Sequence, residues 1–244
     1  MGTLPYMDER RLPSGRHRIP RELVADDQRR RLTEAVLAIV ADRGYTAATV
    51  ADVLAAAAVS RATFYEHFAD KEACFLAAHR EALEAALVAV AVPVSQHEDW
   101  IEQIHAGLAG LLDHLSTRDT VARAGMIHVI GGGPEADREY RDAIDAFCPF
   151  LDGGRARSAW GARLPPTVAR ATVGAIAGTV RDEALAGRSA ALPALLPELV
   201  YVAFVPYLGD EEAERERRRA QRRRERAAAG RRRTARARRA ASVN

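Results

Sequence analysis

The sequence TVADVLAAAAVSRATFYEHFADKE, residues 49–72, decides the fold because it predicts two short helices joined by a tight turn. Thr49 can cap the first helix, and Asp52 three residues later completes a capping-box pattern. Ser60 can cap the second helix, which we expect over residues 61–67. The stretch therefore predicts a helix-turn-helix unit in which both helix N-termini are fixed.

The second of these helices has one apolar face. Phe64 and Phe68 are four residues apart, so they share a face and we expect both to be buried. The other side chains are left toward solvent: Arg61, Ala62, Thr63, Tyr65 and His67. A short capped helix that presents such side chains suits the major groove of DNA.

A further helix is expected to start at the end of the stretch. Asp70 can cap it, and Glu72 in its first turn complements the helix dipole. Lys71, the single lysine of the chain, is a cation where the dipole disfavours one. It can hold a phosphate attracted by the helix N-terminus, or it is an ordinary solvated lysine.

Residues 31–75 resemble the DNA-binding domain of the TetR family of transcriptional regulators. The resemblance is carried by RGYTAATVADV, AAVSRATFYEHF and DKEACF, without a gap. Ala58 stands in the turn where the family usually has glycine, and Ala48 stands where a second threonine is common. Ala58 leaves the geometry of the turn in question if a positive φ is needed there.

The resemblance implies a homodimer that binds a palindromic operator in double-stranded DNA, usually as a repressor that an effector releases. Arg61 and Ala62 would face bases in the major groove. The remaining expected DNA contacts, mainly to phosphates, are Thr49, Val50, Ser60, Thr63, Tyr65, His67 and Lys71.

Composition favours an all-α protein, because 48% of the 244 residues are hydrophobic and alanine is abundant. The apolar run at residues 85–92 is far short of the ~20 residues that cross a bilayer. No secretory signal is apparent, and Cys74 and Cys148 do not have a metal or redox spacing. We therefore expect a cytoplasmic protein without a cofactor or metal.

Charge is divided along the sequence. Residues 210–244 have a net charge of +8 and residues 10–31 a net charge of +5, whereas residues 73–209 have a net charge of −5. Attraction to phosphate is therefore expected at the two ends and at the helix-turn-helix, not in the middle of the chain.

Four segments follow from these patterns: an extended basic arm at 1–24, the DNA-binding domain at 25–72, an effector-binding and dimerisation domain at 73–209, and an Arg-rich tail at 210–244. Arg16 and Arg18 of the arm could enter the minor groove, or the arm is only a disordered tail. The final tail has no apolar stripe, so it is expected to be disordered or a solvated helix, either inert or a non-specific DNA contact.

The periodicity predicts a first helix over 25–43 that ends at Gly44, and a fourth over 71–92 that ends before Pro93. Further helices are expected at 98–116, 118–130, 135–151, 166–186 and 192–207, which make a C-terminal helical bundle. The Gly131–Gly133 triplet is interpreted as a helix break, because no lysine-serine or lysine-threonine pair follows it.

Two apolar stripes in the last helices are candidates for the dimer interface, or else they only complete the core of one chain. They comprise Val168, Thr172, Val173, Ile176 and Val180, with Leu195, Leu196, Leu199, Val200 and Ala203. The candidates for an effector pocket, each of which could equally be core, are Trp100, Ile104, His105, Leu108, Met126, His128, Phe147, Phe150 and Trp160.

No motif of an enzyme is found: the sequence lacks His-Glu-x-x-His, Gly-x-Ser-x-Gly and a dinucleotide fingerprint. We therefore expect a TetR-like, ligand-responsive transcriptional regulator without catalytic activity. The alternative is an architectural or nucleoid-associated DNA-binding protein that has no small-molecule ligand.

Overall fold

The computed structural model describes residues 20–127 and 133–241, in which every regular element is a helix. The α-helices are α1 (Arg21–Arg43), α2 (Val50–Ala57), α3 (Arg61–His67), α4 (Lys71–Val94), α5 (Trp100–Ser116), α6 (Asp119–Ile127), α7 (Gly133–Asp152), α8 (Thr167–Leu185), α9 (Leu196–Leu208) and α10 (Asp210–Ala241). Three 3₁₀ turns cover Gly153–Ala156, Gly161–Arg163 and Ser189–Leu195. The all-α prediction is confirmed, while part of the predicted break at residues 131–134 lies outside the described residues.

The chain divides into two compact units between Glu81 and Ala82, so α4 contributes to both. The N-terminal unit is built on α1, whose apolar stripe packs on α2 and α3. The side chains at the centre of this unit are completely buried: Leu32, Val36, Val40, Val53, Phe64 and Phe75. Each of them contributes roughly 1.5–3 kcal/mol by leaving water, so the three-helix unit has a core of its own.

The second unit is a bundle in which α5, α8 and α9 surround the apolar centre. Trp100 begins α5 and packs edge-on against Phe204 and Tyr207 of α9, with ring centroids 5.1 and 5.6 Å apart. The Trp100 indole N–H donates to the Phe150 carbonyl at 3.0 Å. These contacts join α5, α7 and α9.

One stretch of the second unit, Ser189–Leu208, is long and apolar enough to cross a membrane by length and composition, with a mean hydropathy of 1.6. This stretch is longer than the apolar run at residues 85–92. Pro193 and Glu198 interrupt it, so it does not stand out in the sequence as one continuous apolar run. In the fold this stretch is part of the bundle: Leu192 and Phe204 within it are completely buried.

Helix α4 continues through Pro93 to Val94, whereas the sequence predicted that it would end before the proline. Pro93 has no N–H, so the Ala89 carbonyl loses its usual partner four residues later. That carbonyl lies against Gly110 of α5, where an added Cβ would be only 2.2 Å from the Ala89 oxygen. Because Gly110 has no side chain, α5 can lie directly against the Ala89 carbonyl of α4.

The C-terminal segment differs most from its prediction. Residues 210–241 form one long helix, α10, whose first part packs against α9. Ala213 and Ala220 are buried, and Glu216, also buried, lies 2.7 Å from the His105 ring, Oε2 to Nε2. Burial is the main reason why the pKa of His105 is lowered, against the opposing effect of Glu216. This packing could not be predicted from the sequence, because the buried face consists of alanines and a glutamate.

We predict that Gly110→Ala lowers the free energy of unfolding by about 1–3 kcal/mol, because its methyl group overlaps the Ala89 carbonyl and forces α4 and α5 apart. Thermal or urea unfolding measures the change. Gly230→Ala is the matched control, since a Cβ at that helical glycine meets nothing within 4 Å. A Gly110→Ala protein as stable as the control would contradict the close crossing.

Candidate nucleic-acid interface

The N-terminus of α2 is fixed by the predicted capping box. The Thr49 hydroxyl accepts from the Asp52 N–H at 3.2 Å, and the Asp52 carboxylate accepts from the Thr49 N–H at 3.1 Å. A second bond, from the Thr49 hydroxyl to the same carboxylate at 2.6 Å, is the main reason why the pKa of Asp52 is lowered. The position of α2 is thus set by its own sequence, as expected.

The turn between α2 and α3 places Ala58 in the left-handed region, with φ 52° and ψ 49°. It is the only residue other than glycine with a positive φ in the described part of the chain. The Arg31 guanidinium of α1 supports the turn by donating to the Ala57 carbonyl at 2.8 Å, and Asp27 orients the same guanidinium at 3.0 Å. The turn therefore needs the conformation that glycine adopts easily, and alanine occupies it at a cost.

We predict that Ala58→Gly raises the free energy of unfolding by about 0.5–1 kcal/mol. The substitution relieves the left-handed strain, which exceeds the entropy that glycine adds to the unfolded chain. Ala56→Gly is the matched control: Ala56 is exposed inside α2, and its replacement should destabilise by about 0.5–1 kcal/mol. Urea unfolding measures the free energy of unfolding of both variants, which should rise in Ala58→Gly and fall in Ala56→Gly. Equal changes in the two variants would contradict a strained turn at Ala58.

Helix α3 is fixed on its inner side by aromatic packing. Phe64 is completely buried and Phe68 nearly so, with ring centroids 5.9 Å apart. The Arg29 guanidinium of α1 lies over the Phe68 ring at 4.9 Å. The Ser60 side chain accepts from the Thr63 N–H at 3.0 Å and so caps the helix. Both predictions for this helix, the cap and the buried phenylalanines, are confirmed.

The outer side of α3 presents Arg61, Ala62 and Tyr65 to solvent, and half of the Tyr65 surface is exposed. Among the described residues, Arg61 has no hydrogen bond or ion pair. Tyr65 rests edge-on against Phe64 at 5.3 Å, so its ring is oriented while its hydroxyl stays free for a partner. These three side chains share one side of a helix whose other side is packed in the core of the N-terminal unit.

The other predicted DNA contacts are less free than the sequence suggested. The Ser60 and Thr63 hydroxyls are 2.9 Å apart and partner each other. The half-buried His67 ring is 3.4 Å from the Gln28 amide oxygen. Thr49 is exposed and Val50 half-buried, whereas Arg16 and Arg18 lie outside the described residues.

Lys71 has an internal role that the sequence did not reveal. Its ammonium donates to the Tyr45 and Ala48 carbonyls, both at 2.8 Å, and lies 4.1 Å from the centre of the Tyr45 ring. These contacts tie the start of α4 to the connection between α1 and α2. Two of its three N–H groups are used in this way.

The candidate effector residues are placed mainly as parts of the core. Trp100, Ile104 and His105 are buried. The half-buried members of the set are Leu108, Phe147, Phe150 and Trp160. The Met126 side chain and His128 lie outside the described residues.

Seven of the ten candidate dimer residues are buried within the single chain: Thr172, Val173, Ile176, Val180, Leu199, Val200 and Ala203. These side chains contribute to the core of one bundle, as the alternative interpretation expected, and their place at a dimer interface stays a prediction. Val168, Leu195 and Leu196 are only half-buried and remain accessible. An apolar stripe in the sequence predicts burial, but it does not distinguish packing within one chain from packing against a second subunit.

No group of three or more His, Cys, Asp or Glu side chains in residues 20–127 and 133–241 is arranged to hold a metal ion. Cys74 is completely buried, and burial raises the pKa of its thiol to about 12. Cys148 is half-buried, and burial is likewise the main cause of its raised pKa.

Residues 32–78 match the sequence profile described as bacterial regulatory proteins, tetR family. No curated protein matches the chain. Solved structures with a similar fold include the fatty acid degradation regulator FadR of Bacillus halodurans, with 16% identity, a TM-score of 0.64, and coverage of 74% of this chain and 94% of that one.

Two further structures of similar fold were determined for proteins with named small molecules. FadR of Bacillus subtilis, in complex with stearoyl-CoA, has 17% identity and a TM-score of 0.62, with 74% of this chain and 98% of that one covered. A gamma-butyrolactone receptor, described as ArpA-like, has 16% identity and a TM-score of 0.58, with 82% and 98% covered. At such identities the similarity shows the fold alone. The resemblance to the TetR family is confirmed over residues 32–78 by this profile, and the chain has the fold of these solved structures.

Proposed function

We propose that the chain is a ligand-responsive repressor that binds a palindromic operator as a homodimer in the cytoplasm. The observation that carries the proposal is the outer side of α3, where Arg61, Ala62 and Tyr65 project from a helix fixed by Ser60 and Phe64. A fixed helix with an unpaired arginine can read bases without first breaking contacts of its own. This favours a specific DNA contact over a purely electrostatic one.

Within this proposal, Arg61 donates two hydrogen bonds to a guanine in the major groove, and Ala62 contacts a neighbouring base. Tyr65 donates to a phosphate, and the third N–H of Lys71 does the same, whereas the Thr49 hydroxyl already donates to Asp52. Lys71 also holds the connection before α2 through the Tyr45 and Ala48 carbonyls. Its replacement should therefore reduce both the stability of the unit and its affinity for every DNA sequence.

We predict that Arg61→Ala reduces the preference for the operator by about 1–3 kcal/mol per half-site, because one bidentate base contact is lost. The operator is first recovered by selection of bound duplexes from a random pool, and both proteins are then titrated with it and with an unrelated duplex. Arg163→Ala, at an exposed arginine of the second unit, is the control. Unchanged preference in the Arg61 variant would refute base reading by α3.

The homodimer is proposed to form through the open side of α8. Ala171 and Ala175 are exposed there, and a Cβ built on Gly174 or Gly178 meets nothing within 4 Å. Leu185, at the end of the same helix, is 46% exposed. Small side chains let a second helix approach closely, and a two-fold pair of subunits would present two α3 helices to a palindrome.

We predict that Ala175→Arg makes the protein monomeric, because a long charged side chain on this face keeps a second helix away. Sedimentation equilibrium measures the mass, and Ala190→Arg, at an exposed alanine outside α8, should leave the dimer intact. A dimer that persists in the Ala175 variant, or a monomeric wild-type protein, would exclude this interface.

The effector is proposed to be a small apolar or amphipathic molecule that binds in the second unit. The stearoyl-CoA and gamma-butyrolactone named for two structures of the same fold are apolar or amphipathic molecules. Half-buried Leu108, Phe147 and Phe150 are the side chains that could open toward it. Helix α4 belongs to both units, so displacement of its C-terminal part can change the fit of the α3 pair to DNA half-sites.

We predict that long-chain acyl compounds or lactones raise the melting temperature and release the operator, since an effector must favour the released state. Short-chain homologues with the same head group are the matched controls. A set of such compounds that changes neither melting nor DNA binding would instead favour an architectural DNA-binding protein without a ligand.

A further inference from the structure

Helix α10 consists of two parts that differ in their contacts. In residues 210–224, Ala213 and Ala220 are buried, and Arg223 donates to Glu102 of α5 at 2.9 Å. Arg224 then donates to the Ala194 carbonyl at 3.0 Å. In residues 225–230 every position except Ala228 is exposed, and the polar contacts of these residues stay within α10. The first part of α10 is therefore an anchor for the second.

Charge changes at the same point. Residues 210–224 contain seven arginines and five acidic residues, and most of these arginines are paired, Arg217 and Arg218 with Glu214 among them. Residues 225–244 contain seven arginines and one acidic residue. Among the described side chains of this second part, Arg226 has no ion pair. Ion pairs therefore involve most arginines of the anchor, whereas the sequence that follows offers seven arginines only one acidic residue.

Arginines that are neighbours on the surface of this helix repel one another. Arg222 and Arg226 are four residues apart, as are Arg232 and Arg236, and Arg236 and Arg239 are three apart. Each such pair of like charges destabilises a helix by roughly 0.2–0.5 kcal/mol. A bound polyanion removes this repulsion, so binding would stabilise the helix along residues 225–241.

We propose that residues 225–241, the α10 arm, form a second DNA contact that attracts the phosphate backbone of a duplex without reading its sequence. About 17 residues of helix extend ~25 Å, over which duplex DNA carries roughly fifteen phosphate charges. Seven arginines can therefore neutralise several phosphates at once. The proposal goes beyond the reading of bases by α3 and does not depend on it.

The composition of the arm distinguishes duplex DNA from other anionic partners. A helix that lies on a membrane needs a face of large apolar side chains, and alanine is the only apolar residue between 225 and 241 apart from Gly230. Single-stranded nucleic acid is usually held by aromatic stacking, and residues 225–244 contain no aromatic residue. The charge alone fits a regular double row of phosphates, and the same chain carries a DNA-binding domain.

The position of the arm in the second unit gives it an electrostatic function. Residues 73–209 have a net charge of −5 and would be repelled by DNA. The arm is the strongly cationic segment attached to this acidic unit. It would raise the affinity for any duplex, and so help the protein to find its operator and to remain near it.

The test uses the full-length chain with Arg231, Arg232, Arg233 and Arg236 changed to Gln, titrated with a random 30-bp duplex between 50 and 200 mM NaCl. We expect the slope of log K against log [NaCl] to fall by about 2–4, and the affinity at 100 mM NaCl to fall at least about tenfold. The same four positions changed to Lys keep the charge and should keep the slope. Gln at Arg138, Arg163, Arg170 and Arg188, all exposed in the second unit, should change the affinity less than about twofold.

Three outcomes would overturn the proposal. They are a slope in the arm variant equal to that of the control, a loss of affinity confined to single-stranded RNA, and a loss confined to vesicles that contain phosphatidylserine. The preference for the operator should be unchanged in the arm variant and reduced in Arg61→Ala. A chain that selects no operator would refute the proposed function, yet the salt slope on random duplex would still decide the role of the arm.

Discussion

Burial of Phe64 and Phe68 is the constraint on which the reading surface depends. Both rings are buried in the core of the N-terminal unit, which orients α3 so that Arg61 and Tyr65 lie on the opposite side. The caps at Thr49 and Ser60 fix the ends of the two helices, and Arg31 holds the turn between them. The positions of Arg61 and Tyr65 are thus set by contacts made by other residues of the unit.

The sequence was sufficient for those parts of the fold that depend on residues close together in the chain. Capping at Thr49 and Ser60 and burial of Phe64 follow from spacings of three or four residues, and the structure confirms them. The sequence left open whether the turn needs a positive φ at Ala58, and the observed φ of 52° shows that it does. Local chemistry determines these features, so no knowledge of the tertiary fold was needed.

Contacts between distant residues could not be predicted in the same way. Lys71 reaches carbonyls at Tyr45 and Ala48, although its position at a helix start suggested a phosphate. The stripes of α8 and α9 showed which residues are apolar but not that one bundle buries most of them, which leaves the small-residue side of α8 for a partner. The first part of α10 packs through alanines and the Glu216–His105 contact, which periodicity does not detect.

The buried thiol of Cys74 has a consequence for how the protein responds to its surroundings. Cys74 is the single cysteine of the N-terminal unit, and with a pKa of about 12 it stays protonated across the physiological range. Oxidants and alkylating reagents react with the thiolate. The Cys74 thiol is protonated, and its sulfur is buried from solvent. Cys74 is therefore a poor target for oxidants, although it belongs to the unit that contains α3.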